Sequence, residues 1–283
     1  MTLHEWLVEA EKKTEDAPWL ASKTLGSSRT WIAANRHTVE LTVGQRLALD
    51  ELVARRLQDE PLAYILQSAP FYKRDFYVDP HVLIPRPETE DMIDLAKKTG
   101  PDAFIDIGTG SGAIAITLAL ETNRPVFASD ISPDALDIAK RNAKHLGANV
   151  SFFKGFLLHY ELIEAIKRYP SITICANLPY LPDSDKAIMP KSVTAYEPDL
   201  ALFTGQDGNQ LIIELLEQIS SFCHSRAGGN PALNVFLECD PPQAKKLLDF
   251  SKSLFPDAEA EIIRDHCGRE RFIVLSLQTP NHS

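Results

Sequence analysis

Leu3, Trp6, Leu7 and Ala10 recur at i, i+3, i+4 and i+7, the spacing of one helical face, and Thr2 with Glu5 has the form of a capping box that would open that helix. A second box, Thr42 with Gln45, precedes Leu47, Leu49, Leu52, Val53 and Leu57, and Pro61 suits the first turn of a short helix through Ile65. No two-residue alternation interrupts residues 1–70, which predicts a small helical domain. Phe71, Tyr72, Phe76, Tyr77, Val78, Val82, Leu83 and Ile84 then flank Asp79-Pro80, and this texture predicts a β-hairpin linker over 71–87. From 88 to 283 apolar runs of strand length alternate with helical stretches. The candidate strands are Ala103 to Ile107, Val126 to Ser129, Val150 to Phe153, Ile172 to Ala176, Asn234 to Glu238, Glu259 to Ile263 and Phe272 to Leu277. Strand and helix in alternation predict an α/β domain with a mainly parallel seven-stranded sheet covered on both faces. Ser225 to Pro231, with Ala227-Gly228-Gly229-Asn230, reads as a flexible loop.

Composition narrows the function classes more than the fold. The 283 residues carry 29 basic and 39 acidic side chains, a net charge of -10, which weighs against a partner held mainly through its phosphates, so no direct nucleic-acid contact is expected. The longest predominantly apolar run, Ala113 to Leu120, is far shorter than the roughly 20 residues that span a bilayer, and no membrane contact is expected. His4, Glu5, Glu9 and Glu11 suit neither a secretory signal nor a transit peptide. Cys175, Cys223, Cys239 and Cys267 form no metal-like spacing, so reduced thiols, no metal and a cytoplasmic setting are expected, with the chain a monomer.

The sharpest motif is Phe104-Ile105-Asp106-Ile107-Gly108-Thr109-Gly110-Ser111-Gly112-Ala113, a strand entering a glycine turn and then an apolar helix. Glycines permit a tight turn and let a ligand approach the helix N-terminus without a Cβ in the way. Asp130, at the end of the next strand, is placed to accept the hydroxyl hydrogens of a ribose. Gly108, Gly110 and Ala113 also satisfy the looser dinucleotide fingerprint, so this motif alone admits a nicotinamide as well as an adenosyl cofactor.

Ile174-Cys175-Ala176-Asn177-Leu178-Pro179-Tyr180 ends the fourth strand, and ligands of open α/β sheets lie beyond such ends. An –NH2 group has two hydrogens to satisfy. The side-chain oxygen of Asn177 and the backbone carbonyl of Leu178 can take one each, while the ring of Tyr180 packs on a planar substrate.

Taken together, the glycine loop and the Asn-x-Pro-Tyr element resemble class I S-adenosylmethionine methyltransferases acting on amide or exocyclic amino nitrogens. Leu83-Ile84-Pro85-Arg86-Pro87-Glu88-Thr89-Glu90, preceded by Glu60-Pro61-Leu62-Ala63-Tyr64-Ile65-Leu66, is similar to the release factor glutamine methyltransferases. The likeness continues through Tyr196-Glu197-Pro198-Asp199-Leu200-Ala201-Leu202, Gly205-Gln206-Asp207-Gly208 and Asp265-His266-Cys267-Gly268-Arg269-Glu270-Arg271, so it spans nearly the whole chain. It implies a Rossmann-like class I fold and methyl transfer from S-adenosylmethionine, leaving S-adenosylhomocysteine, to the amide nitrogen of the glutamine in the Gly-Gly-Gln motif of class 1 peptide chain release factors. By the same resemblance, residues 1–70 recognise that substrate. Gly108, Thr109, Gly110, Ser111, Gly112, Asp130, Phe156 and Asn177 would hold the cofactor, and Asn177, Leu178, Pro179, Tyr180, Arg86 and Glu88 the substrate, the first four as the catalytic element.

The chain departs from the family pattern at Leu178, in place of a first proline, at Gln67, in place of a glycine, and at Phe156, where many relatives carry an acid. Cys239-Asp240 also replaces a usual Ile-Gly. Asn-Leu-Pro-Tyr also resembles the element of ribosomal RNA adenine dimethyltransferases, which leaves N6-methylation of an RNA or DNA adenine as one alternative and a non-catalytic binding module derived from a methyltransferase as another.

Overall fold

The computed structural model describes residues 1–224 and 231–277, so the segment 225–230 expected to be a loop lies outside the described residues. The chain forms two compact units. One comprises Met1–Ala69 together with Pro190–Tyr196, and the other Pro70–Met189 together with Glu197 onward.

In the first unit, helices Leu3–Glu11, Ala17–Leu25, Arg29–Asn35, Val43–Arg56 and Leu62–Leu66 bury Leu3, Trp6, Leu7, Leu20, Ile32 and Leu49 against one another. Both capping boxes form: Thr2 N donates to Glu5 at 2.8 Å and Thr42 N to Gln45 at 3.0 Å, while each threonine hydroxyl accepts the amide three residues on. Leu47 is exposed, because two residues along a helix turn it about 200° from the buried Leu49. The segment from Pro190 adds a one-turn helix, Lys191–Thr194, and its Tyr196 hydroxyl donates to the Gln58 carbonyl at 2.8 Å. Nothing in the local pattern signalled that this stretch joins the first unit.

Gln67 ends the last of these helices with φ of 55°, the left-handed conformation that a glycine adopts freely. An L side chain there costs about 1 to 2 kcal/mol, partly offset by its smaller entropy loss on folding. Gln67→Gly is therefore expected to raise stability by about 0.5 to 1 kcal/mol, read as a higher melting temperature; a lower one would show that the glutamine side chain holds the turn.

A hairpin beginning at Ala69, the last residue of the first unit before the chain enters the second, pairs β1 (Ala69–Phe71) with β2 (Arg74–Phe76). Its turn is Tyr72-Lys73, both at positive φ, and not the Asp79-Pro80 expected from the sequence. This two-residue loop lacks the usual Asn-Gly signal and draws instead on distant partners. Tyr72 N donates to Glu90 at 2.8 Å and its hydroxyl to Asp94 at 2.6 Å. Asp79 does make a local turn, its carboxylate accepting His81 N at 3.0 Å, but no strand lies between β2 and the helix Thr89–Lys98.

The remaining strands are β3 (Ala103–Ile107), β4 (Val126–Asp130), β5 (Ser151–Lys154), β6 (Ser171–Ala176), β7 (Ala232–Glu238), β8 (Glu259–Arg264) and β9 (Glu270–Leu277). They form one seven-stranded sheet of order β5-β4-β3-β6-β7-β9-β8, parallel except at β9, which runs against both neighbours. Alternate side chains divide between two cores. Ile105, Ile107 and Ile174 meet helices Tyr160–Ile166, Gln210–His224 and Pro241–Leu254, while Phe104, Cys175 and Phe236 meet helices Thr89–Lys98, Ala113–Thr122 and Pro133–Leu146. The Ala113–Thr122 helix is apolar almost all round, and Ala113 to Ala119 are all buried.

After β3 the chain winds outward through β4 and β5, then returns to the other side of β3 as β6. Such reversals leave a crevice at the carboxyl ends of the strands. Register makes that edge level: Ile107 lies beside Ser129 on β4 and beside Ala176 on β6. The next residues of the three chains, Gly108, Asp130 and Asn177, therefore sit side by side.

Candidate active site

A cavity of about 390 Å³ opens at this edge, a size suited to a small-molecule ligand. Gly108, Thr109, Gly110, Ser111, Asp130, Phe156, Asn177, Leu178, Pro179 and Arg86 line it. Gly112, Tyr180 and Glu88 are not among the lining residues. Pro80 to Leu83 also line it, together with Leu157 and Leu200, none of which was assigned to the site from the sequence, although Leu83 and Leu200 lie within the quoted family motifs.

The three glycines of the loop do different work. Gly108 and Thr109 both donate to the Ser129 carbonyl at 2.9 Å, turning the chain off β3. A Cβ on Gly108 would meet Leu178 Cδ2 at 2.8 Å, and one on Gly112 would meet Ile116 and the Ala139 backbone. Both positions thus allow close packing. Gly110 is the one whose missing side chain would meet nothing within 4 Å, which leaves its backbone open toward the cavity.

Asp130 Oδ2 accepts Gly110 N at 2.8 Å and Oδ1 accepts Ser132 N at 2.9 Å. Burial raises its carboxyl above the usual aspartate range, and these backbone donors act against that rise. A carboxylate offers about four lone-pair directions, so the amides leave capacity for further donors. Beneath the loop, Asp106 Oδ2 takes the Thr109 hydroxyl at 2.6 Å and Ala115 N at 3.1 Å, while Oδ1 has no partner among the described residues. Complete burial pushes that carboxyl to about 7.

Asn142 pins the loop from the next helix. Its Oδ1 accepts Tyr77 N at 2.8 Å, and its Nδ2 donates to the carbonyls of Tyr77 and Ser111 at 2.9 Å. On the far side of the cavity, Arg86 donates to buried Glu197 at 2.6 Å, and Glu197 also accepts Ile84 N at 3.2 Å. The Arg86 charge is thus compensated within the protein, although the residue still lines the cavity.

At the end of β6, Asn177 Nδ2 donates to Thr89 Oγ1 at 3.1 Å, and Thr89 in turn donates to Glu238 at 2.7 Å. With one of its –NH2 hydrogens given to Thr89, Asn177 has its carbonyl oxygen turned to the other side and left for a ligand. Tyr180 places its hydroxyl 3.4 Å from Glu238 rather than facing the cavity, and its carbonyl accepts Gln243 Nε2 at 2.6 Å. Glu88 begins the Thr89–Lys98 helix without a side-chain cap. Thr89 and Glu238 are the residues that sequence reasoning missed; Thr89 lay inside the quoted Arg-Pro-Glu-Thr-Glu element, and Glu238 ended a candidate strand with nothing to show that it pairs with Thr89.

A strand order that reverses at β3, a glycine turn and an acid at the neighbouring strand end fit a Rossmann-like nucleotide-binding fold, and the family matches make it a methyltransferase of the class I type. Residues 104–198 match the family model described as a methyltransferase domain, and residues 5–66 match the PrmC N-terminal domain. Curated relatives named release factor glutamine methyltransferase include those of Bacillus subtilis, 33% identical with 95% of this chain and 93% of that protein covered, and of Staphylococcus aureus, 34% identical with 91% and 90% covered. A third, from Bacillus anthracis, is 32% identical with 90% and 89% covered. The chain belongs to the release factor glutamine methyltransferase family. Among solved structures, the hMettl16 catalytic domain in complex with MAT2A 3'UTR hairpin 6 is 13% identical, covers 88% of this chain and 91% of that one, and superposes with a TM-score of 0.56, a likeness of fold alone. No described helix is long and apolar enough to cross a membrane.

Proposed function

We propose that the protein methylates the side-chain amide nitrogen of the glutamine in the Gly-Gly-Gln motif of class 1 peptide chain release factors, acting as a monomer in the cytoplasm. The observation that carries this reading is Asn177, whose –NH2 end is held by Thr89 and whose carbonyl end remains for a ligand in the cavity it lines. Such an acceptor suits a substrate that brings N–H groups.

The cavity suits S-adenosylmethionine as methyl donor. Gly110 presents open backbone, Asp130 retains acceptor capacity for a ribose, and Phe156, two-fifths exposed, offers an apolar face. When bound, that cofactor supplies a methyl group activated by its sulfonium. The protein's own part is positioning. An amide nitrogen is a poor nucleophile because its lone pair is delocalised, so orientation and exclusion of water must lower the barrier. Asn177 Oδ1 and the Leu178 carbonyl would accept the two N–H hydrogens, fixing the nitrogen and stabilising positive charge as it develops. Proton loss follows readily, since an N-methylated amide cation is strongly acidic.

Incubation with labelled S-adenosylmethionine and purified release factor, ribosomal RNA or neither tests the reading. Label on the release factor glutamine alone supports it, and label on RNA alone shifts the assignment to the adenine alternative. Asp130→Ala removes hydrogen bonds to a charged acceptor, each worth about 1.5 to 3 kcal/mol, and frees Gly110 N. Cofactor affinity should fall by roughly 100-fold, about 2.7 kcal/mol, in calorimetry; unchanged binding would remove Asp130 from the cofactor site.

A further inference from the structure

A line of hydrogen bonds runs from the core to the cavity through Glu238, Thr89 and Asn177. Glu238 closes β7 and is 1% exposed; its Oε2 accepts the Thr89 hydroxyl at 2.7 Å, and Thr89 Oγ1 accepts Asn177 Nδ2 at 3.1 Å. Of the three, Thr89 and Asn177 line the cavity.

A hydroxyl has a single hydrogen, and an ionised carboxylate can only accept. While Glu238 is ionised it claims that hydrogen, so Thr89 can only accept from Asn177, which turns the –NH2 of the amide toward Thr89 and its oxygen toward the ligand. Once Glu238 is protonated the constraint is gone. The acid hydrogen can go to Thr89, the Thr89 hydrogen can turn to Asn177, and the amide can rotate by half a turn to put a donor where the substrate nitrogen also brings donors.

We propose that Thr89 and Glu238 are positioning residues that set the sense of the Asn177 amide, so that the site accepts an N–H substrate only while Glu238 is ionised. The proposal rests on the reading of Asn177 as the substrate acceptor. It makes use of a buried acid that the methyl-transfer chemistry otherwise leaves idle.

The groups facing Glu238 come from each neighbouring element. Tyr180 follows β6, with its hydroxyl 3.4 Å away, Arg271 lies on β9 and pairs with Asp265 at 3.2 Å, and Thr89 and Glu88 open the Thr89–Lys98 helix. Burial lifts the Glu238 carboxyl to about 7, with Glu88 adding to the rise and Thr89, Arg271 and Tyr180 opposing it. The switch therefore falls in the neutral range, and turnover should rise with pH as the acid ionises.

The test compares wild type, Thr89→Val, Thr89→Ser and Glu238→Gln on purified release factor between pH 6 and pH 8. Wild-type kcat is expected to rise roughly tenfold over this range. Thr89→Val should lower kcat by tenfold or more at pH 8, change KM little and flatten the profile, while Thr89→Ser restores both. Glu238→Gln, which never ionises and can donate to Thr89 as the protonated acid does, should hold kcat near the wild-type value at pH 6 with a flat profile. The side-chain amide signal of Asn177 in a ¹H–¹⁵N spectrum, assigned by its loss in Asn177→Asp, should move with a midpoint near pH 7 in wild type and stay fixed in Glu238→Gln. Thr89→Val with wild-type kcat and profile, or an Asn177 signal that does not move in wild type, overturns the relay. A moving signal in a protein that leaves release factors unmethylated instead retains the relay and overturns the proposed substrate.

Discussion

Asn177→Ala should lower kcat on a release factor by about 10² to 10³, while cofactor affinity changes severalfold at most. The side-chain oxygen removed is the one left facing the ligand once Nδ2 is engaged by Thr89. Deleting one preorganised polar contact to developing charge costs about 2.7 to 4 kcal/mol in the comparable case of an oxyanion hole. A loss confined to kcat marks an interaction stronger in the transition state than in the bound substrate. Leu178→Pro provides the contrast. If the backbone carbonyl at 178 serves the substrate, any residue supplies it, and the variant should stay within about tenfold of wild type, about 1.4 kcal/mol. The lost packing of Leu178 on Gly108 sets the sign of that small change. Equal collapse of both variants, or full turnover by Asn177→Ala, would refute the amide clamp.

The second large effect is expected at Gly208. Its φ is 71°, and a Cβ there would lie 2.1 Å from the Tyr180 carbonyl oxygen and 2.4 Å from Gln243 Nε2. That nitrogen bridges the carbonyls of Tyr180 and Asp207, at 2.6 and 3.2 Å, and so ties the end of the Asn177–Tyr180 element to the start of the Pro241–Leu254 helix. Gly208→Ala must separate these groups, adding overpacking and broken hydrogen bonds to the left-handed penalty, roughly 3 kcal/mol or more in total. Denaturant unfolding should report this loss, and turnover should fall because the Asn177–Tyr180 element, whose Asn177 lines the cavity, is displaced. Gly147→Ala serves as control: φ is 73°, yet nothing lies within 4 Å of the added Cβ, so only about 1 to 2 kcal/mol is expected. Similar losses in the two variants would rule out the steric explanation.

What the sequence disclosed was local or strictly periodic. All seven strands of the large sheet were found within a few residues of their ends, because most are short apolar runs and the edge strand Glu259–Arg264 alternates charged and apolar residues over its first half. Gly108, Asp130 and Asn177 were legible as one group because each directly follows or ends a strand of a parallel sheet, and register does the rest. Positions fixed by distant partners were not legible. Tyr72-Lys73 forms a turn with help from Glu90 and Asp94, and Thr89 reaches Glu238 across 149 residues of chain. Nor does periodicity distinguish a glycine that opens onto ligand, Gly110, from one that admits a neighbouring helix, Gly112.

The placement of Pro190–Tyr196 in the first compact unit bears on how such a protein can be rearranged by recombination. The backbone passes between the units at three points, after 69, after 189 and after 196. A single crossover near residue 70 would therefore transplant an incomplete module, lacking the stretch whose Tyr196 bonds Gln58. Inheritance should favour keeping the two units as a matched pair, and a chimaera that joins the helical unit of one relative to the sheet of another needs residues 190–196 to travel with the former.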